Sequence, residues 1–280
     1  MTRSKYIAGI LAIVMVSCAS EAPLTDHEWD YHATLDIADS LGLKENEARI
    51  LLLPAPLQVP NNLKLTGADY HPSLLVELSK DAASRTQYEA AIAVGLYATD
   101  LGYSIMFEDY STGMQYAKTI ESILQFMNIR IAEKNVLAKR FEQHRNSMDS
   151  LSVLVLESYQ KAGQYLQENQ QEGLGLLMMV GCYVEGMYLA FESINTEKGY
   201  EAFASMWPQQ NLYLDNVLML LGYYSAAGEA DILIEGMSDI KVALAQWMKL
   251  DHKRLNKVEQ EKQAEKVRTV IWNFRQSIIS

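Results

Sequence analysis

Glu185 is the only charged residue in a long apolar stretch, 173–191. An unpaired carboxylate in such a setting is costly, so it must be protonated, paired or hydrogen-bonded. At helical spacing its one-turn neighbours are Gly181, Cys182, Tyr188 and Leu189. The chemistry open to it is acid–base work or ligand contact in a helix-lined groove, and a hydrogen bond between packed helices would use the same residue type. Asp100 shares a helical face with Thr86, Glu89, Ser104 and Glu108, a narrow polar stripe of the kind that is solvated or lines a groove. Two such carboxylates side by side would serve hydrolysis or hold a cation. Tyr97, Tyr103, Tyr183 and Tyr188 complete the candidate groove set, since amphipathic aromatics suit ligand grooves as well as ordinary helix interfaces. None of these residues is assigned a catalytic role, and no metal or cofactor is expected. His27 and His32 are five apart, which does not put two imidazoles on one helix face, and neither a Gly-rich phosphate loop nor a Gly-x-Ser-x-Gly elbow is present.

Cys18 offers a different chemistry, covalent lipidation. Arg3 and Lys5 precede the apolar run from Ile7 to Val16. That run is half the roughly 20 residues needed to cross a hydrocarbon core, but it suits the apolar part of a signal peptide. Met15-Val16-Ser17-Cys18 resembles the lipobox, with Met where Leu is usual. Residues 1–17 then form the signal peptide, residues 18–33 form a tether, and Cys18 carries acyl chains such as palmitate. Each buried methylene contributes about 0.8 kcal/mol, so two or three chains hold firmly. Ala19, in place of Asp, resembles a passenger bound for the outer membrane. The acidic tether (Glu21, Asp26, Glu28, Asp30) is a weak pointer to the cell surface, and the choice between periplasmic and surface faces stays open.

The partners that composition excludes are clearer than those it selects. The chain has a net charge of −11, and cleavage before Cys18 removes two basic residues. Residues 247–280 carry eight Lys or Arg against four Asp or Glu, so the remainder is more acidic still. Nucleic acid is therefore not an expected partner, because phosphate binding needs a basic surface. Once Cys18 is lipidated, Cys182 is left alone in an apolar helix, as a small buried hydrophobe.

The elements that must position these residues are helices. Apolar residues recur with helical period, and no stretch alternates as a strand would. The pattern predicts short helices at 34–41 and 44–53, then an irregular loop over 54–72, where Pro54, Pro56, Pro60, Gly67 and Pro72 fall. Further helices are predicted at 73–84, 86–108, 111–127, 131–145, 147–169, 172–193, 197–205, 209–224, 229–248 and 251–279, with a break at Trp207-Pro208. Short links favour antiparallel hairpins. Val94-Gly95-Leu96-Tyr97 recurs as Val180-Gly181-Cys182-Tyr183, and loosely as Leu221-Gly222-Tyr223-Tyr224. This repetition points to an all-α, tetratricopeptide-like irregular superhelix over 34–280, although the tetratricopeptide consensus residues are absent.

Gly95 to Tyr103, Tyr116-Ala117-Lys118 and Val184 to Leu189 resemble the uncharacterised helical lipoproteins of Gram-negative bacteria. The likeness covers roughly 85–245 and implies an all-helical fold in the cell envelope, with no assigned activity to carry over. The final helix, 251–279, has apolar patches at Leu255 and Val258 and again at Val267, Val270, Ile271, Phe274 and Ile278, separated by a polar run. Such a helix caps a superhelix end or engages a partner. The leading expectation is an envelope lipoprotein that binds a protein, peptide or small ligand through a helix-lined groove. The alternatives are a hydrolase using buried carboxylates and an assembly lipoprotein acting through its last helix.

Overall fold

Two helices that are apolar on nearly every side form the centre of the molecule. In the computed structural model, which describes residues 56–78, 85–129, 136–145, 147–193, 197–224, 230–250 and 254–279, nine α-helices occur among the described residues, with no strand. In chain order they are α1 (Gln58–Leu65), α2 (Gln87–Met106), α3 (Tyr110–Phe126), α4 (Val136–His144), α5 (Met148–Glu168), α6 (Glu172–Ser193), α7 (Glu197–Tyr224), α8 (Asp231–Met248) and α9 (Lys257–Ile279). They belong to one unit, Pro54–Ser280. Cys18, the tether and the helices expected at 34–41 and 44–53 lie outside the described residues.

All residues of α2 from Ala90 to Met106 are buried, as is most of α6 from Leu176 onward. A helix without a polar face must be covered all round. Helix α2 is covered by α1, α3, α5, α6 and α9, and α6 by α1, α2, α5, α7 and α9. By length and composition α6 could cross a membrane, yet 83% of its apolar stretch is buried within the protein.

The paired glycines explain how α2 and α6 approach so closely. A Cβ on Gly95 would fall 1.8 Å from the Met178 carbonyl oxygen, and one on Gly181 would fall 2.2 Å from that of Ile92. Either is an impossible contact, so only hydrogen fits at both positions. The similar segments around Gly95 and Gly181 therefore pack on each other. Thr99 Oγ1 donates to the Cys182 carbonyl at 3.3 Å, one turn further along. Residue numbers rise together along this seam, so the two helices run in the same sense.

Local signals set several boundaries. Thr86 and Glu89 form a reciprocal capping box at the start of α2, and Asp109 and Ser147 cap α3 and α5. Helices α2, α3 and α5 each end in a left-handed residue that is not glycine: Glu108, Asn128 and Gln170. The main-chain bonds Asp109 N to Ser104 O, Ile129 N to Leu124 O and Gln171 N to Leu166 O close these ends at 2.8–2.9 Å.

Three boundaries differ from the sequence expectation. The loop expected over 54–72 contains α1, because Pro60 falls in its first turn, where a missing N–H costs nothing. The helix expected at 73–84 is instead a single 3-10 turn, Pro72–Leu74, followed by extended chain at Leu75; residues 79–84 lie outside the described set. The two helices expected at 197–205 and 209–224 are one helix with Pro208 inside it. An interior proline costs about 3 kcal/mol in isolation. Here Pro208 is exposed and Ala204, whose carbonyl it frees, is half-exposed, so water can reach the break. Buried Phe203 on one side and Leu214 and Val217 on the other hold the helix on course.

Candidate functional site: a buried acid pair and the segment it grips

Asp100 on α2 and Glu185 on α6 meet one turn beyond the glycine crossing. Both are fully buried, and their carboxyls are within hydrogen-bonding reach of each other. The solvated or groove-lining stripe expected at Asp100 is thus corrected: α2 has no solvated face there, because α3, α6 and the chain before α2 cover it. The two candidate carboxylates, whose proximity the sequence left open, form a single site.

Arg275, from α9, completes it. Its Nε and Nη2 donate to the two Glu185 oxygens at 2.6 and 2.8 Å, and Nη2 also donates to the Leu74 carbonyl at 3.0 Å. The guanidinium lies 4.0 Å from the centre of the Tyr188 ring. This bidentate, stacked arrangement is specific to arginine. The Val76 amide donates to Asp100 Oδ2 at 2.9 Å, while Asp100 Oδ1 has no protein donor.

These contacts decide where the proton sits. Burial, and then the neighbouring Glu185 charge, push the Asp100 carboxyl well above the usual carboxylate range, against the opposing pull of the Val76 amide and Arg275. Burial also raises Glu185, but Arg275 pulls it back. Asp100 is accordingly the partner held towards its protonated form, beside a Glu185 whose charge Arg275 stabilises. With one proton on the acid pair, the two acids and the arginine would carry no net charge, which is what a low-dielectric interior tolerates.

The tyrosines grip the same neighbouring segment. Residues 69–77 form a strap across α2 and α3. Tyr103 Oη accepts from the His71 amide at 3.1 Å and donates to the Asp69 carbonyl at 3.2 Å. Tyr116 Oη donates to the Val76 carbonyl at 2.6 Å, and Tyr97 Oη donates to that of Glu77 at 3.5 Å. Burial raises the Tyr103 and Tyr116 hydroxyls above their ordinary range, so both remain protonated donors. Tyr188 is pushed up to about 12, again by burial first, and packs beneath Arg275. All four candidate groove tyrosines, Tyr97, Tyr103, Tyr183 and Tyr188, are buried.

Tyr183 sits apart from the cluster. With Thr99, Cys182 and Gln210 it lines a small recess roofed by Pro56, Val59 and Pro60. The Cys182 thiol donates to the Gly95 carbonyl at 3.4 Å and is pushed up to about 12 by burial, so it is not a nucleophile at neutral pH. Among the described residues no three His, Cys, Asp or Glu side chains gather as a metal site would require.

Helix α9 is docked along its second half. Ala264, Val267, Ile271 and Phe274 are buried with Arg268 and Arg275, while Val258 in the first turn is 78% exposed. Gly236 of α8 makes room for the Phe274 ring, which would lie 2.1 Å from an added Cβ. Arg268 Nε donates to the Phe191 carbonyl at 2.9 Å, joining α9 to the end of α6. Sequence reasoning missed both arginines. Their signal was available: positions 264, 268, 271 and 275 continue one helical stripe, and an arginine on an apolar stripe implies a buried partner.

Comparison with protein-family models, with curated proteins and with solved structures gives no match for this chain.

Proposed function

We propose that this protein is a lipid-anchored binding module of the bacterial envelope, held at the outer membrane through Cys18 and engaging a protein or peptide partner. Its body is a set of antiparallel helix hairpins arranged about the α2–α6 pair, in a loosely tetratricopeptide-like stack. The observation that carries the binding role is how the acid pair is used. Every strong donor around Asp100 and Glu185 is committed to the fold: Arg275 to Glu185 and Leu74, and the Val76 amide to Asp100.

A hydrolase is the rival reading, and one observation favours it. Two carboxyls sharing a proton are the working parts of aspartic proteases. A substrate would here have to displace the arginine that holds both oxygens of Glu185. The assembly reading, through the last helix, would rest on the exposed first turns of α9 and on Trp272, which is 43% exposed.

The test is site-directed photo-crosslinking in envelope membranes, with a benzophenone amino acid at Ser73 or Glu77, both exposed on residues 69–77, and at Gly163 as a control; adducts at Val258 or Trp272 would instead favour the assembly reading. A discrete adduct that depends on Cys18 supports the binding role. Turnover of peptide or glycoside substrates by the purified chain, abolished by Asp100→Asn, would replace that role with the hydrolytic one.

A further inference from the structure

We infer that the cradle holding residues 69–77 is a peptide-binding site which the chain fills with its own strap, and that its partner ligand is a segment of the same kind, turned at its middle, with one aromatic and one aliphatic anchor. This rests on the binding role proposed above and names the ligand class.

The argument is the chemistry of the contact. Six main-chain groups of the strap are met by side chains of the helical body: Asp69 O and His71 N by Tyr103, Leu74 O by Arg275, Val76 N by Asp100, Val76 O by Tyr116 and Glu77 O by Tyr97. The strap's turn makes only two main-chain bonds of its own, Leu74 N to His71 O and Leu75 N to Pro72 O, and the six groups above depend on the helical body. Peptide grooves combine main-chain hydrogen bonds, which give affinity, with pockets for one or two side chains, which give specificity; here the main-chain groups are met by side chains on three separate helices. The strap's own side chains match that division. Val76 is 5% exposed and is its only fully buried side chain, whereas Pro72, Ser73 and Glu77 are exposed. Tyr70 is a second anchor: it stacks on Phe107 at 5.5 Å and donates to Asp109 Oδ2 at 3.0 Å, so the cradle reads a backbone, one aromatic and one aliphatic side chain.

A competing segment must leave two main-chain donors free at the positions of His71 and Val76, so it carries no proline there. It must also place a Val-sized side chain in the anchor pocket and an aromatic ring against Phe107. Covalent attachment gives the strap an effective concentration on the order of millimolar, so a free peptide competes poorly while the anchor is seated. A partner protein adds contacts outside the cradle and does not share that limit.

The experiment uses the full mature chain with Val76→Asp, which expels the anchor, and a fluorescent synthetic peptide spanning residues 68–78. The expected result is saturable binding to the variant at least tenfold tighter than to the unchanged chain. A peptide carrying the same Val→Asp change should not bind. If Val76→Asp lowers the melting temperature, added wild-type peptide should restore it. No binding to a folded variant, or failure of the peptide to restore a destabilised one, overturns the inference. A crosslinked partner without peptide binding would leave the binding role standing and remove this site from it, whereas peptide binding without any crosslinked partner would do the reverse.

Discussion

Replacing Arg275 with methionine tests the energetics of the cluster most sharply. Methionine keeps an unbranched apolar stem against Tyr188 and Trp272 but removes every bond to Glu185 and Leu74. Arg275 is 4% and Glu185 0% exposed at the side chain, so the charge left behind is shielded from water. Removing one partner of such a buried pair costs roughly 3–5 kcal/mol. For a body of this size each kcal/mol lowers the melting temperature by about 2–4 °C, which gives a fall of about 6–20 °C at pH 7. The pH dependence identifies the cause. Without Arg275 the folded-state pKa of Glu185 rises far above its unfolded value of roughly 4.3. A carboxyl with a raised folded pKa contributes its full stability below the unfolded pKa and loses it as pH rises towards the folded one. The deficit of Arg275→Met should therefore be smallest near pH 4 and widen towards pH 8, followed by circular-dichroism melts across that range. Arg140→Met is the control. Arg140 pairs with Glu157 at 2.9 Å with both side chains more than a third exposed, and its loss should cost no more than about 1 kcal/mol at any pH. A melting temperature within 2 °C of the unchanged protein, or a deficit indifferent to pH, would refute the reasoning.

Three further outcomes are expected. Gly181→Ala drives a methyl into the Ile92 carbonyl and should cost about 3 kcal/mol despite its better helix propensity, whereas Gly163→Ala on the exposed face of α5, with nothing within 4 Å, should gain up to about 1 kcal/mol; chemical denaturation compares them. Asp100→Asn should be close to neutral below about pH 4, where Asp100 is protonated in both folded and unfolded chain, because an amide keeps the acceptor for Val76 and offers Glu185 a donor as the protonated acid does. Above the unfolded Asp pKa it should become the more stable chain by up to about 1.4 kcal/mol per pH unit, until the folded Asp100 itself ionises. Cys18→Ala should release the protein from the membrane fraction, and full retention on fractionation would contradict lipidation at that residue.

The helical class was legible because helix α2 and helices α5 to α9 carry strong periodicity or long apolar runs, and the predicted limits of α6 match the observed 172–193. Glu185 was legible as a buried acid for the same reason, since a charge within such a run has few explanations. Its partner was not legible, because Arg275 lies 90 residues away and nothing local links them. Asp100 was misjudged because its one-turn polar neighbours mimic a solvated stripe. Ser104 in fact bonds the Asp100 carbonyl at 2.8 Å and is itself buried. The strap was missed for a related reason: its conformation is imposed by tyrosines, an acid and an arginine distant in sequence, and these overrode the local helical pattern. Prolines misled in both directions, hiding α1 and falsely dividing α7, because their effect depends on where in the turn they fall and on what packs around them.

The central claim is that the pair shares one proton, with Asp100 neutral and Glu185 charged against Arg275. The most direct measurement is the carboxyl carbon-13 chemical shift of both residues, followed by NMR from pH 5 to 8 in chain labelled at Asp and Glu and assigned with Asp100→Asn and Glu185→Gln. The account predicts a protonated shift for Asp100 and an ionised shift for Glu185 at pH 7. Two ionised carboxylates at that pH, or a proton resident on Glu185, would contradict it.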